Sequence, residues 1–187
     1  GRITDAIRHR GPDDSGNWTD AEQGIALGHR RLSILDLSPT GRQPMTSRDG
    51  RYVIDFNGEI YNFAELRQRL ASAGETFRGT SDTEIMLAAI SSWGLDAAVR
   101  SFAGQFAFAL WDRETHKLHL VRDRLGEKPL YYGRMGDTLL FGSEHHDWLA
   151  GVLCGFAFQG LVCWKNRLGD AMTAHAITNF LLGVWVV

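Results

Sequence analysis

Cysteine is almost missing from this 187-residue sequence: Cys154 and Cys163 are the only two, both late in the chain. Their spacing matches neither a zinc-ligand pair nor a redox dithiol, so no disulfide framework and no metal site are expected, and the cytoplasm is the default compartment. An excess of positive charge is lacking too. The 20 Lys and Arg residues are balanced by 22 Asp and Glu, a formal net charge of -2, and no global basic field exists to hold nucleic acid or an anionic membrane surface. Neither an initiator Met nor an apolar secretory stretch opens the chain, and Gly1-Arg2-Ile3-Thr4-Asp5 reads as the interior of something longer. Internal repeats, low-complexity tracts and a Gly-rich phosphate loop of either nucleotide-binding type are also absent.

What is present is enough for a folded core, since 44% of the residues are hydrophobic. Residues 1–143 read as a soluble mixed domain of short apolar strands, amphipathic helices and polar turns. The stretch 25–37 partly alternates apolar and polar residues, and Tyr52-Val53-Ile54-Asp55-Phe56 follows a turn at Asp49-Gly50; both are predicted strands. Asn17-Trp18-Thr19 fits the glycosylation pattern but reads as ordinary loop. Asn62 with Glu65 forms a capping-box pattern, Phe63, Leu66 and Leu70 share one face, and Gly74 is the stop. Ser81 with Glu84 repeats that pattern before Ile85, Met86, Ala89 and Ile90, ending at Gly94. A third short helix is predicted over 96–102. Three later runs, 106–111, 118–121 and 130–132, are short, aromatic or branched, and read as a meander. Strands, then helices, then strands predict an α+β fold of antiparallel sheets with segregated helices.

The character changes after Glu144. Residues 148–163 are nearly uncharged, Lys165-Asn166-Arg167 interrupts, and 168–187 are again mostly apolar, with Asp170 near the start. An apolar helical tail is therefore expected over 144–187. Two alternatives stay open: helices associated with a membrane through residues 148–187, or a pair of buried core helices.

Six segments occur in one order: His9-Arg10-Gly11-Pro12-Asp13-Asp14, Gly28-His29-Arg30-Arg31-Leu32-Ser33-Ile34, Asn57-Gly58-Glu59-Ile60-Tyr61-Asn62, Ser81-Asp82-Thr83-Glu84, Phe106-Ala107-Phe108-Ala109-Leu110-Trp111-Asp112, and Arg122-Asp123-Arg124-Leu125-Gly126-Glu127-Lys128-Pro129-Leu130-Tyr131-Tyr132. Together they resemble the class II glutamine amidotransferase domain of glutamine-hydrolysing asparagine synthetases. The resemblance implies an N-terminal-nucleophile hydrolase fold, a four-layer αββα sandwich, here incomplete.

In that family an N-terminal Cys attacks the side-chain amide of glutamine with help from its own α-amino group. A thiolate is the strong nucleophile, and the tetrahedral oxyanion it creates needs donors aimed at it. The resemblance places those donors at the Asn57 side-chain amide and the Gly58 backbone N–H, although Asn-Gly taken alone is a hairpin-turn signal. It assigns the glutamine α-carboxylate to Arg31, whose planar fork suits two charge-assisted hydrogen bonds. Glu59 and Asp82 would take the α-ammonium. Taken singly, Arg31 reads as a solvated strand residue, Glu59 as a surface acid and Asp82 as an acid in the first turn of a helix. Arg10, Asp13, Arg122 and Asp123 match the family too and are expected in structural ion pairs.

Only eight residues precede His9, so the nucleophilic Cys of the family is not found upstream of it, and the fragment is expected to be inactive. The synthetase domain, with its ATP and Mg²⁺, is also missing from the sequence, and no cofactor is expected in this portion. The expected function is the glutamine-binding, glutaminase part of an asparagine synthase, with glutamine and the synthetase domain as partners and no nucleic acid. The alternatives are a catalytically dead glutamine-binding module and, for the tail, an intramembrane protease fragment. Phe141-Gly142-Ser143-Glu144-His145 and His175-Ala176-Ile177-Thr178-Asn179 resemble the end of a CAAX-type protease, with His145, His175 and Asn179 as its candidate site. Since 140–144 suits the end of both families, a chimeric reading frame joined there is expected.

Overall fold

The computed structural model describes residues 14–31 and 41–143. The predictions made for 1–13, for the second half of the 25–37 strand and for the whole tail, including His145, His175 and Asn179, lie outside the described residues.

Among the described residues the elements run β1 (Asp14–Asp20), β2 (Ile25–Arg31), β3 (Met45–Thr46), β4 (Tyr52–Ile60), α1 (Phe63–Ser72), α2 (Asp82–Trp93), α3 (Leu95–Ser101), β5 (Gly104–Asp112), β6 (Lys117–Arg122), β7 (Tyr131–Met135) and β8 (Thr138–Gly142). Every strand pairing is antiparallel. A four-stranded sheet of order β3-β4-β5-β6 lies between the helices on one face and two hairpins, β1-β2 and β7-β8, that pack side chains onto the other. The α+β class expected from element order is the one observed.

Two cores follow from the two-residue period of the central strands. Ile54, Phe56 and Ile60 of β4 and Phe106, Phe108 and Leu110 of β5 meet Leu66, Leu70, Ile85, Met86 and Ile90 of the helices. Val53, Ala107, Ala109 and Trp111 face the other way, against Leu27 and Trp18 of the first hairpin and Leu130 and Phe141 near the second. Burial on both faces explains why these strands read as continuous apolar runs. Each fully buried Leu or Ile contributes on the order of 1.5–3 kcal/mol.

Several local expectations are corrected. The Asn17 tripeptide lies in β1, not in a loop, and Thr138–Gly142, for which no element is predicted above, forms β8. Asn62 precedes α1 without a side-chain cap bond. Its Nδ2 donates to Ser101 O at 3.0 Å and its Oδ1 accepts from Ala103 N at 3.0 Å, so the amide joins the start of α1 to the end of α3. Phe63 is 37% exposed and leaves the apolar face to Leu66 and Leu70. Ser81 does cap α2, accepting from Thr83 N at 3.2 Å. Glu84, however, reaches past it to accept from Arg78 N and Gly79 N at 2.8 and 2.9 Å, which ties the preceding loop to the helix.

Candidate active site at the end of β4

Asn57, Gly58 and Glu59 stand in register with Ala107, Phe106 and Gln105 of β5. The Asn-Gly pair is therefore strand, and the hairpin-turn reading fails. Gly58 has a φ of 155°, and an added Cβ would lie 2.2 Å from Gln105 O and 2.7 Å from Phe106 Cα. At Gly104 a Cβ would lie 2.1 Å from Glu59 O. Two glycines thus let β4 and β5 close at the end that carries the site, where a side chain would force the backbones apart.

The alternation of β4 puts Asp55 and Asn57 on the hairpin side, opposite the helices. Asp55 Oδ1 lies 2.7 Å from His29 Nδ1, which pins β2 to β4. Asn57 Nδ2 donates to Ser143 Oγ at 3.0 Å, and the Ser143 hydroxyl donates to Pro129 O at 2.6 Å. Arg31 pairs through its backbone with Asp14 at the end of the first hairpin; its side chain lies outside the described residues.

Asp82 opens α2 and reaches across to the strand end: Oδ2 accepts from Ile60 N at 3.2 Å and Oδ1 from Thr83 N at 2.8 Å. Burial pushes its pKa above the ordinary carboxylate value, the backbone donors pull it down, and negative Glu59 pushes it up again. An acid answering only to a helix N-terminus would be shifted down. The opposite direction marks Asp82 as a carboxylate whose burial outweighs its backbone donors. Glu59 itself is exposed.

Lys128, which the sequence reading did not single out, is 4% exposed. Burial lowers its pKa, and Glu59 leads the acids that oppose the shift, followed by Asp123 and Glu127. A buried cation therefore sits within electrostatic reach of Glu59. The loop bearing it is fixed by its two motif neighbours, through backbone groups and not through the ion pairs expected of them. Asp123 accepts from the N–H groups of Phe106, Leu125, Glu127 and Lys128 at 2.9–3.2 Å. Burial raises the Asp123 pKa and these donors outweigh it, leaving the group below the usual carboxylate value. Arg122 donates to Lys128 O and Gly126 O. Arg10 and Asp13 lie outside the described residues.

The structure thus gathers Asn57, Gly58, Glu59 and Asp82 at one end of the sheet. Lys128 and Ser143 join them there, with the His29–Asp55 contact further back along β4; His29, Lys128 and Ser143 sit inside segments quoted above for their resemblance and Asp55 in the strand 52–56, and what the sequence could not give was their partners. Two clefts, of about 350 Å³ and about 280 Å³, are lined by other residues. Among the described residues no helix is long and apolar enough to cross a membrane.

A glutamine amidotransferase domain profile matches residues 1–159. Asparagine synthetase [glutamine-hydrolyzing] 3 of Bacillus subtilis is 45% identical over 145 residues, covering 76% of this chain and 23% of that protein. Amidase chry2 of Gibberella zeae is 41% identical over 183 residues, covering 98% of this chain and 26% of that protein. The chain spans about a quarter of the length of these relatives. Among solved structures, glutamine phosphoribosylpyrophosphate amidotransferase from B. subtilis, complexed with ADP and GMP, superposes with a TM-score of 0.54 at 25% identity, over 62% of this chain and 27% of that one. The CAAX-protease resemblance of the tail finds no support in these relatives. With a domain profile spanning most of its length and the motif residues clustered at one sheet end, this chain belongs to the glutamine amidotransferase domain family.

Proposed function

We propose that this chain is the glutamine-binding, glutaminase portion of an enzyme of the asparagine synthase (glutamine-hydrolysing) type, supplying ammonia for amide synthesis in a separate synthetase portion. The finer fold assigned with this reading is the αββα N-terminal-nucleophile sandwich; a helix layer packed on a central sheet with hairpins on its other face supports it. The single observation that supports the site assignment is that Asp82, at the start of α2, accepts from Ile60 N at 3.2 Å, which sets its carboxylate at the strand end that bears Asn57, Gly58 and Glu59. A zwitterionic amino acid needs anions for its ammonium and a cation for its carboxylate, held apart. Glu59 and Asp82 provide the first, and Arg31, at the end of β2, is assigned the second.

In this reading a thiolate attacks the glutamine side-chain amide carbon. The carbonyl electron pair moves to oxygen, where the Asn57 amide and the Gly58 N–H donate to it. Collapse expels ammonia once the leaving nitrogen is protonated, and water then releases glutamate from the thioester. None of residues 1–153 is a cysteine, so the nucleophile is assigned by resemblance to an N-terminal Cys and not to any described residue. ATP and Mg²⁺ belong, on this proposal, to the synthetase portion. The amidotransferase region is taken to be residues 1–143, with 144–187 a separate apolar tail.

The test is titration of the chain with L-glutamine, and with D-glutamine as a control. Binding of the L form, weakened about fivefold or more by Glu59→Gln through loss of one charged contact, supports the assignment. Equal affinity for the two enantiomers, or full retention of binding in Glu59→Gln, removes it. Ammonia release after an N-terminal Cys-bearing segment is joined to the chain separates an active glutaminase from a binding module.

A further inference from the structure

The direction of every hydrogen bond in the Asn57–Ser143–Pro129 chain is fixed by chemistry. A backbone carbonyl cannot donate, so the Ser143 hydroxyl must spend its only proton on Pro129 O, 2.6 Å away. Its oxygen is then left as an acceptor toward Asn57, 3.0 Å away, which must present its NH₂ and not its carbonyl oxygen. An isolated Asn amide turned by half a rotation fills the same space with its donor and acceptor exchanged. Here the exchange would set two oxygens face to face, since Ser143 has no second proton.

We propose that Ser143 is a positioning residue that locks the orientation of the Asn57 amide, so that the second Nδ2–H stays directed to the side-chain carbonyl oxygen of bound glutamine, the atom that becomes the oxyanion on attack. Pro129 O is itself a fixed reference. It follows Lys128, whose N–H is held by Asp123 and whose carbonyl is held by Arg122. The loop between β6 and β7 therefore sets Ser143, Ser143 sets the amide, and no other described residue hydrogen-bonds the Asn57 side chain. The inference rests on the oxyanion role proposed for Asn57, but the amide lock can be measured without substrate.

The experiment is ¹⁵N NMR of the Asn57 side-chain amide in the full chain, with L-glutamine as ligand. In the wild type one Nδ2 proton should exchange with water at least about tenfold more slowly than its partner, the protection of one buried hydrogen bond. Ser143→Ala should abolish that difference, leave the backbone amide spectrum of β4 and β5 in place, and weaken L-glutamine about two- to tenfold, the loss of about one hydrogen bond. Ser143→Thr, which keeps the hydroxyl, should restore both. Two equally fast protons in the wild type overturn the lock with no variant needed. Unchanged exchange and affinity in Ser143→Ala, or failure of Ser143→Thr to rescue, overturn it while leaving the glutamine reading intact. A slow proton in a wild type that binds no glutamine removes the functional reading and the positioning role together.

Discussion

Replacing Gly58 by alanine tests the close approach of β4 and β5 most directly. The new Cβ would lie 2.2 Å from Gln105 O, 2.7 Å from Phe106 Cα and 2.9 Å from Phe106 Cβ. Two of these three atoms are backbone of the paired strand, so the clash cannot be relieved by turning a side chain. Overpacking of this kind costs roughly 1–3 kcal/mol, and holding an L-residue at a φ of 155° adds roughly 1–3 kcal/mol. Gly74→Ala is the internal control, because Gly74 also has a positive φ, 95°, but nothing within 4 Å of its added Cβ. It should bear only the backbone cost. Urea unfolding of both variants, with slopes compared so that midpoints convert to free energies, should place Gly58→Ala lower by roughly 1–3 kcal/mol, the packing component alone. That is a large fraction of the roughly 5–15 kcal/mol that holds a domain together. Equal destabilisation of the two variants would refute the argument, showing that the strands separate freely at this end and that the glycine is not required by the β5 backbone.

Asp82→Asn tests the burial of the candidate ammonium site. The folded Asp82 pKa lies above its unfolded value of 3.8, so the wild type gains stability by protonation as pH falls through the folded pKa and loses it as pH rises again. The Tm of Asp82→Asn relative to wild type should therefore be most favourable at neutral pH and fall on acidification; a relative Tm that rises on acidification would reverse the assigned shift. Asn62→Asp separates capping from tethering, because Asp caps a helix as well as Asn does but cannot donate to Ser101 O. It should destabilise the fold by roughly 1–3 kcal/mol in urea, the cost of an unsatisfied carbonyl, and a neutral or stabilising result would return Asn62 to the role of a simple cap.

The sequence by itself determined the elements that depend on neighbours along the chain. Glycine at 74 and 94 and the Ser81 cap set the ends of α1 and α2, and the apolar period set which faces of those helices are buried; these are local backbone and side-chain preferences. Motif order likewise singled out Asn57, Gly58, Glu59 and Asp82, which the fold brings to one end of β4. Tertiary structure decided what lies across space. It made Asn57-Gly58 paired strand where the dipeptide taken alone signals a turn, because β5 supplies hydrogen bonds that a dipeptide preference cannot anticipate. It also turned Asn62 from a cap into a tether once Ser101 and Ala103 came within 3.0 Å. The raised Asp82 pKa, the buried Lys128 and the link from Ser143 to Asn57 were illegible for the same reason. Each depends on partners 22 to 86 residues away or on burial, and neither is encoded by local spacing. Chemistry that resides in residue type was readable from the chain; the direction and strength of that chemistry came from which groups the fold placed beside it.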